Sequence, residues 1–223
     1  MEKNITEKEQ FFSKISHDLR GSFTSILGFS DIISDPNEEL SRDEVDEFVK
    51  RIASQSRDSF ELLVNFINWL KLEKFKYGLA NEKIDLLELF YDVQNHKKKE
   101  LLKKNVSFVT AIAENDFVRM DYEILNSILN NIFNFIAKTC CENSKIKVNS
   151  GSLENKYSNI EISASCYQKD NSFLQNIDLK NLNNEISFPL IFAAKFVELC
   201  EGEFRFNLTK ENNLSIQLKL PKY

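Results

Sequence analysis

Two long amphipathic stripes joined by a short break constrain this chain more than any other feature. From Ile5 to Ile33 the apolar residues Phe12, Ile15, Leu19, Ile26, Phe29 and Ile33 recur at steps of three and four, with Ser22 in the remaining seam position. That spacing puts them on one face of an α-helix. Ser34-Asp-Pro-Asn-Glu-Glu-Leu interrupts the pattern, and Ser41 with Glu44 three residues on is a capping box that opens a second helix. There Val45, Phe48, Ile52, Phe60, Leu63, Phe66, Ile67 and Leu70 line one stripe as far as Lys74. Residues 1–76 are therefore expected to form an antiparallel helical hairpin. Two helices alone cannot bury so long a seam, and pairing two hairpins into a dimeric four-helix bundle solves that. Homodimerisation through this segment follows.

After Gly78 the pattern changes, which places a domain boundary between Lys76 and Glu82 and a second domain over residues 82–223. Leu86 to Lys104 reads as a helix, Val106 to Ile112 and Phe117 to Met120 as strands, and Asp121 to Cys140 as a helix with a continuous apolar face. Lys145 to Val148 and Asn159 to Ser165 read as strands flanking a polar turn around Gly151. Phe188 to Cys200 reads as a third helix that Gly202 stops. Phe204 to Leu208 and Leu214 to Leu220 close the domain as a hairpin. The expected class is α+β, a sheet covered by helices on one face. With only 5 Gly and 3 Pro in 223 residues, the chain suits long elements and few tight turns.

Composition removes several function classes. Lys plus Arg number 29 and Asp plus Glu 34, a net charge of -5, which disfavours nucleic acid as a partner. Cys140, Cys141, Cys166 and Cys200 show no CxxC spacing, and His17 and His96 lie far from them in sequence, so no metal site is expected. No apolar run approaches the roughly 18 residues that cross a bilayer, and the N-terminus lacks a signal-peptide core. The expected setting is cytoplasmic, without membrane insertion of this chain and with reduced thiols.

His17 is the first candidate for chemistry. It lies mid-helix in Phe11-Phe-Ser-Lys-Ile-Ser-His17-Asp-Leu-Arg20-Gly-Ser-Phe, between the seam residues Ile15 and Leu19, so its side chain should reach solvent. Lys14 and Arg20, three residues to either side, share its face and could hold a phosphoryl group, while Gly21 keeps bulk away from the ring. Asp18 could orient the imidazole or accept a proton. On its own this setting better fits a surface histidine on a charged helix face.

The wider stretch, Phe11 to Ile33 with Gly28-Phe-Ser-Asp, resembles the phosphoacceptor box of two-component sensor histidine kinases. The resemblance implies a dimerisation and phosphotransfer hairpin with His17 as the phosphorylated residue and Asp18 as its acidic neighbour. Two positions depart from the family pattern. Ser22 stands where the family has a helix-bending Pro, and Gly21 where kinases with phosphatase activity often carry Thr or Asn, which argues against that activity.

The C-terminal half resembles the ATP-binding domain of the same kinases in shape but not in chemistry. Asp121 to Lys138 lines up with the family's asparagine box, and Asn131 and Lys138 match. The Asn that holds magnesium in the family falls on Phe135, which offers a hard cation no oxygen. Asn134 points about 100° away around the helix. The adenine-binding Asp falls on Cys166, a feeble acceptor, with Asp170 in reach only if the strand register slips. The glycine-rich phosphate loop becomes Asn184-Glu-Ile-Ser187-Phe188-Pro189, in which Pro189 has no N–H to offer an anion. The resemblance thus implies the fold without the nucleotide, so neither ATP nor a resident magnesium is expected. Phe135, Phe188, Phe133 and Phe192 read as a polar cleft collapsed into core.

The remaining candidates have plain readings: His96 and the Lys97–Lys99 and Lys103–Lys104 cluster as solvated surface, and Cys140-Cys141 as structural thiols. The expected function is a phosphorelay step in which His17 exchanges a phosphoryl group with receiver-domain aspartates, the magnesium residing on the receiver. An upstream kinase is a further partner in that scheme. An ATP-dependent kinase with a divergent pocket and a non-catalytic pseudokinase adaptor are the rival readings.

Overall fold

The computed structural model describes residues 2–74, 79–153, 156–165, 188–209 and 213–223. The chain divides into two compact units, Met1–Ile67 and Asn68–Tyr223. The boundary expected near Lys76 falls partly on 75–78, outside the described residues.

The first unit is a helical hairpin. Helix α1 spans Glu2–Ser34 and α2 spans Arg42–Lys74, whose last turns belong to the second unit. The capping box forms as the sequence predicts: the Glu44 N–H donates to Ser41 Oγ at 3.3 Å, and the Ser41 N–H donates back to the Glu44 carboxylate at 2.9 Å. Those hydrogen bonds hold the Glu44 carboxyl below its usual range. The aromatic pairs run antiparallel, with Phe12 edge-on to Phe66 and Phe29 stacked on Phe48, each at 5.4 Å between ring centroids. α1 continues unbroken through Ser22, where the family it resembles has a Pro.

Burial refines the seam. Phe11 and Ile15 are buried, whereas Phe12, Phe60, Leu63 and Ile67, all expected on the stripe, stay exposed, Phe60 to 66%. Ser59 is buried in α2, where its hydroxyl donates to the Gln55 carbonyl at 2.8 Å and so needs no other partner.

The second unit repeats one device twice: a short strand, an aspartate cap, a helix. Strand β1 (Glu82–Asp85) leads into α3 (Leu86–Leu102), and Asp85 accepts from the Leu87 N–H at 2.9 Å. After β2 (Ser107–Ala111), β3 (Phe117–Met120) leads into α4 (Tyr122–Thr139), and Asp121 accepts from the Ile124 N–H at 3.1 Å. β1 and β3 pair antiparallel as a ribbon, with Ile84 opposite Val118. β1 was not foreseen, because four residues are too few to show a period.

The main sheet has the order β2-β4-β5-β7-β6, with β4 at Lys145–Leu153, β5 at Tyr157–Ser165, β6 at Glu203–Leu208 and β7 at Asn213–Pro221. β2 and β4 are parallel and the other neighbours antiparallel. Alternate residues Ile160, Ile162, Ile216, Leu218 and Leu220 are buried, so one face is apolar. Gly151 is not in a turn: it continues β4 opposite Asn159, and the chain reverses later. The β4–β5 ladder outcompetes local turn preference because each added pair satisfies backbone groups.

Helix α5 (Phe188–Leu199) follows the segment 166–187, which lies outside the described residues. Pro189 is accommodated in its first turn, where an N–H would lack a helical partner. Gly202 does not end α5 by taking a left-handed backbone; Glu201 does, at φ 61°. Gly202 instead permits close approach, since a Cβ there would lie 2.6 Å from the Lys219 carbonyl oxygen.

Candidate functional site

His17 owes its position to helix phase. With Ile15 buried and Leu19 half-buried, the residue between them turns outward, and the His17 side chain is 83% exposed. Its Nδ1 lies 3.1 Å from Asp18 Oδ1. An ionised carboxylate only accepts, so this contact fits the tautomer with the proton on Nδ1 and the lone pair on Nε2. The same Asp18 oxygen accepts from Lys14 Nζ at 2.9 Å. The Lys14 and Asp18 side chains are only 15% and 22% exposed, so the pair lies against the helix while the ring stands clear.

Lys14 is thus engaged with Asp18, a role sequence reasoning missed. The signal was there: a cation and a carboxylate four residues apart on one helix face are neighbours. Arg20 is exposed. At Gly21 an added Cβ would meet nothing within 4 Å, so the helix surface beside the site is open, and the Gly21 carbonyl accepts from Ser25 Oγ at 3.1 Å.

Of the positions aligned with a nucleotide cleft, Asn131, Phe135 and Phe188 are buried. Asn131 is 3% exposed and donates to the Ser127 carbonyl of its own helix at 2.9 Å. Phe135 is fully buried, edge-on to Phe206 of β6 at 5.9 Å. Phe188 is buried edge-on to Phe192 at 4.9 Å, and Phe192 reaches Phe196. Lys138 is exposed at the end of α4 and Pro189 is half-buried. Cys166, Asp170 and Ser187 lie outside the described residues. Phe133 needs a correction. It packs on Phe90 of α3 and Phe108 of β2, so it is ordinary core on another side of α4.

The basic cluster on α3 also differs from a fully solvated surface. Lys97 donates to Asn134 Oδ1, and Lys104 to the Ala137 carbonyl at 2.6 Å, so Lys97 ties α3 to α4 and Lys104 ties the turn after α3 to α4. Burial pushes the Cys140 and Cys141 thiols up, and His96 is exposed.

A family model, that of the His Kinase A (phospho-acceptor) domain, matches residues 7–73. Residues 7–73 are thus similar to the phospho-acceptor domains of histidine kinases. Over 136 residues, 59% of this chain, it is 29% identical to histidine kinase CKI1 of Arabidopsis thaliana, and the match spans 12% of that protein. Among solved structures, the Acinetobacter baumannii histidine kinase AdeS superimposes with a TM-score of 0.69 at 13% identity, over 92% of this chain and 97% of that one. Histidine kinase ThkA, solved in complex with response regulator protein TrrA, does so with a TM-score of 0.66 at 20% identity, over 100% of this chain and 64% of that one. These likenesses extend the kinase-core fold through the second unit. No described helix is long and apolar enough to cross a membrane.

Proposed function

We propose that this histidine-kinase core works as an ATP-independent phosphotransfer protein, taking a phosphoryl group onto His17 from one receiver aspartate and passing it to another. The observation that carries this reading is a pairing of opposites. The His17 side chain is 83% exposed with its Nδ1 on Asp18, while Phe135, in the place of the magnesium ligand, is fully buried against Phe206.

The step balances without a nucleotide. The Nε2 lone pair attacks the phosphorus of a receiver phosphoaspartate, the Nε2–P bond forms, and the acyl P–O bond breaks with its electron pair leaving on the receiver carboxylate. The Nδ1 proton stays, and Asp18 offsets the positive charge the ring acquires. Magnesium belongs to the receiver in this scheme, and the hairpin supplies in-line access. The solved pairing of ThkA with a response regulator supports a receiver as the partner. Exposed Leu27, Phe60, Leu63 and Ile67 support a second copy of the hairpin as the cover for this face, giving the homodimeric bundle.

The test is labelling of the full chain by a ³²P-phosphorylated receiver beside labelling by radiolabelled ATP with magnesium. The expected result is label from the receiver alone, abolished by His17→Ala with the oligomer unchanged. Label from ATP would make the chain a kinase with a divergent pocket. Label from neither would make it an adaptor.

A further inference from the structure

Phosphotransfer to an exposed imidazole is only as efficient as the ring's tautomer and aim, and both are set by the group that holds the other nitrogen. Here that group is Asp18, which would be mobile on an exposed helix face without an anchor of its own. Lys14 is that anchor: its ammonium and the His17 ring share one Asp18 oxygen, at 2.9 Å and 3.1 Å. The Lys14 side chain is the most buried of the three, so the order of restraint runs from Lys14 through Asp18 to the ring.

We propose that Lys14 is a positioning residue for His17, holding the Asp18 carboxylate so that it keeps the proton on Nδ1 and leaves Nε2 bare and outward. This rests on the phosphotransfer reading for its purpose, but not for its geometry. Arg20, by contrast, is exposed and remains the cation for an incoming phosphoryl group.

The experiment uses the full chain labelled with ¹⁵N, at a pH where the imidazole is neutral. Two-bond proton–nitrogen correlations report the tautomer of His17, with His96 as an internal reference. Wild type should show a protonated Nδ1 and a bare Nε2. Lys14→Met, which keeps the aliphatic stem, should mix the two tautomers, and Lys14→Arg should restore the bias. Labelling by a phosphorylated receiver should fall roughly tenfold in Lys14→Met, the scale seen when a supporting partner of a reacting group is lost, and recover in Lys14→Arg. An unchanged His17 tautomer in Lys14→Met overturns the proposal. If wild type is never labelled while the tautomer still depends on Lys14, the phosphotransfer reading fails and the positioning role stands.

Discussion

Placing asparagine at position 135 puts the burial of that position to a direct test. If the region around Phe135 were a solvated pocket waiting for ATP, Phe135→Asn would relieve an exposed aromatic and rebuild a magnesium ligand. The structure says otherwise: the ring is fully buried and meets Phe206 edge-on at 5.9 Å. Removing a buried Phe side chain costs about 3–5 kcal/mol, including the cavity it leaves. The new amide would sit where the surroundings are aromatic, at about 1–3 kcal/mol for unmade hydrogen bonds. The two together come to about 4–8 kcal/mol, comparable with the roughly 5–15 kcal/mol that holds a domain folded. With a slope of about 2 kcal/mol per molar urea, the midpoint should fall by about 2–4 M or the variant should not fold. Phe135→Leu, which keeps most of the volume, guards against an uninformative failure and should lose less than half as much. Urea unfolding followed by circular dichroism measures both, and calorimetric titration with ATP and magnesium should show no saturable binding below about 100 μM, about 5.5 kcal/mol. A Phe135→Asn variant as stable as wild type, or one that gains ATP binding, would refute the reasoning.

Phe60→Glu places a charge on an exposed apolar position of the hairpin and should convert the proposed dimer to monomer in sedimentation while leaving helical content intact. Gly202→Ala should destabilise the second unit by about 1–3 kcal/mol in urea unfolding, because its Cβ would press within 2.6 Å of the Lys219 carbonyl and 2.8 Å of the Val197 side chain. The Cys200 thiol is pushed from 9.0 up to about 12, by burial first and then by the Asp121 and Glu201 carboxylates. Its thiolate fraction at pH 8 should be roughly a thousandfold below that of the unfolded chain, so iodoacetamide should modify it only after unfolding. The linkage has a definite sign. Below pH 9 the thiol is neutral folded or unfolded, and above it the unfolded chain ionises first. The thiol's contribution to stability is therefore lost as pH rises from 9 toward 12, and Cys200→Ala should flatten that part of the curve.

What could be read from sequence was whatever depends on near neighbours along the chain. The two stripes set the helical phase, and that phase alone turns His17 outward between Ile15 and Leu19. Ser41 with Glu44 marked the start of α2 because a capping box closes within one turn. The alternation of β5 and β7 showed which residues face the core. Such features follow from hydrogen bonds and packing between residues three or four apart, or from a period of two, and no distant partner can reassign them. Tertiary structure decided the rest, because the outcome depended on what the fold brings opposite each side chain. Phe133 and Phe135 are two residues apart on one apolar helix, yet the first meets Phe90 and Phe108 and the second Phe206. Gly151 reads as a turn until β5 lies beside it and extends the ladder. Lys97 and Lys104 read as solvated charges until α4 presents Asn134 and the Ala137 carbonyl. Lys14 stands between the two cases. Its spacing to Asp18 was written in the sequence, and the side-chain geometry puts its ammonium 2.9 Å from the Asp18 carboxylate on the same helix face.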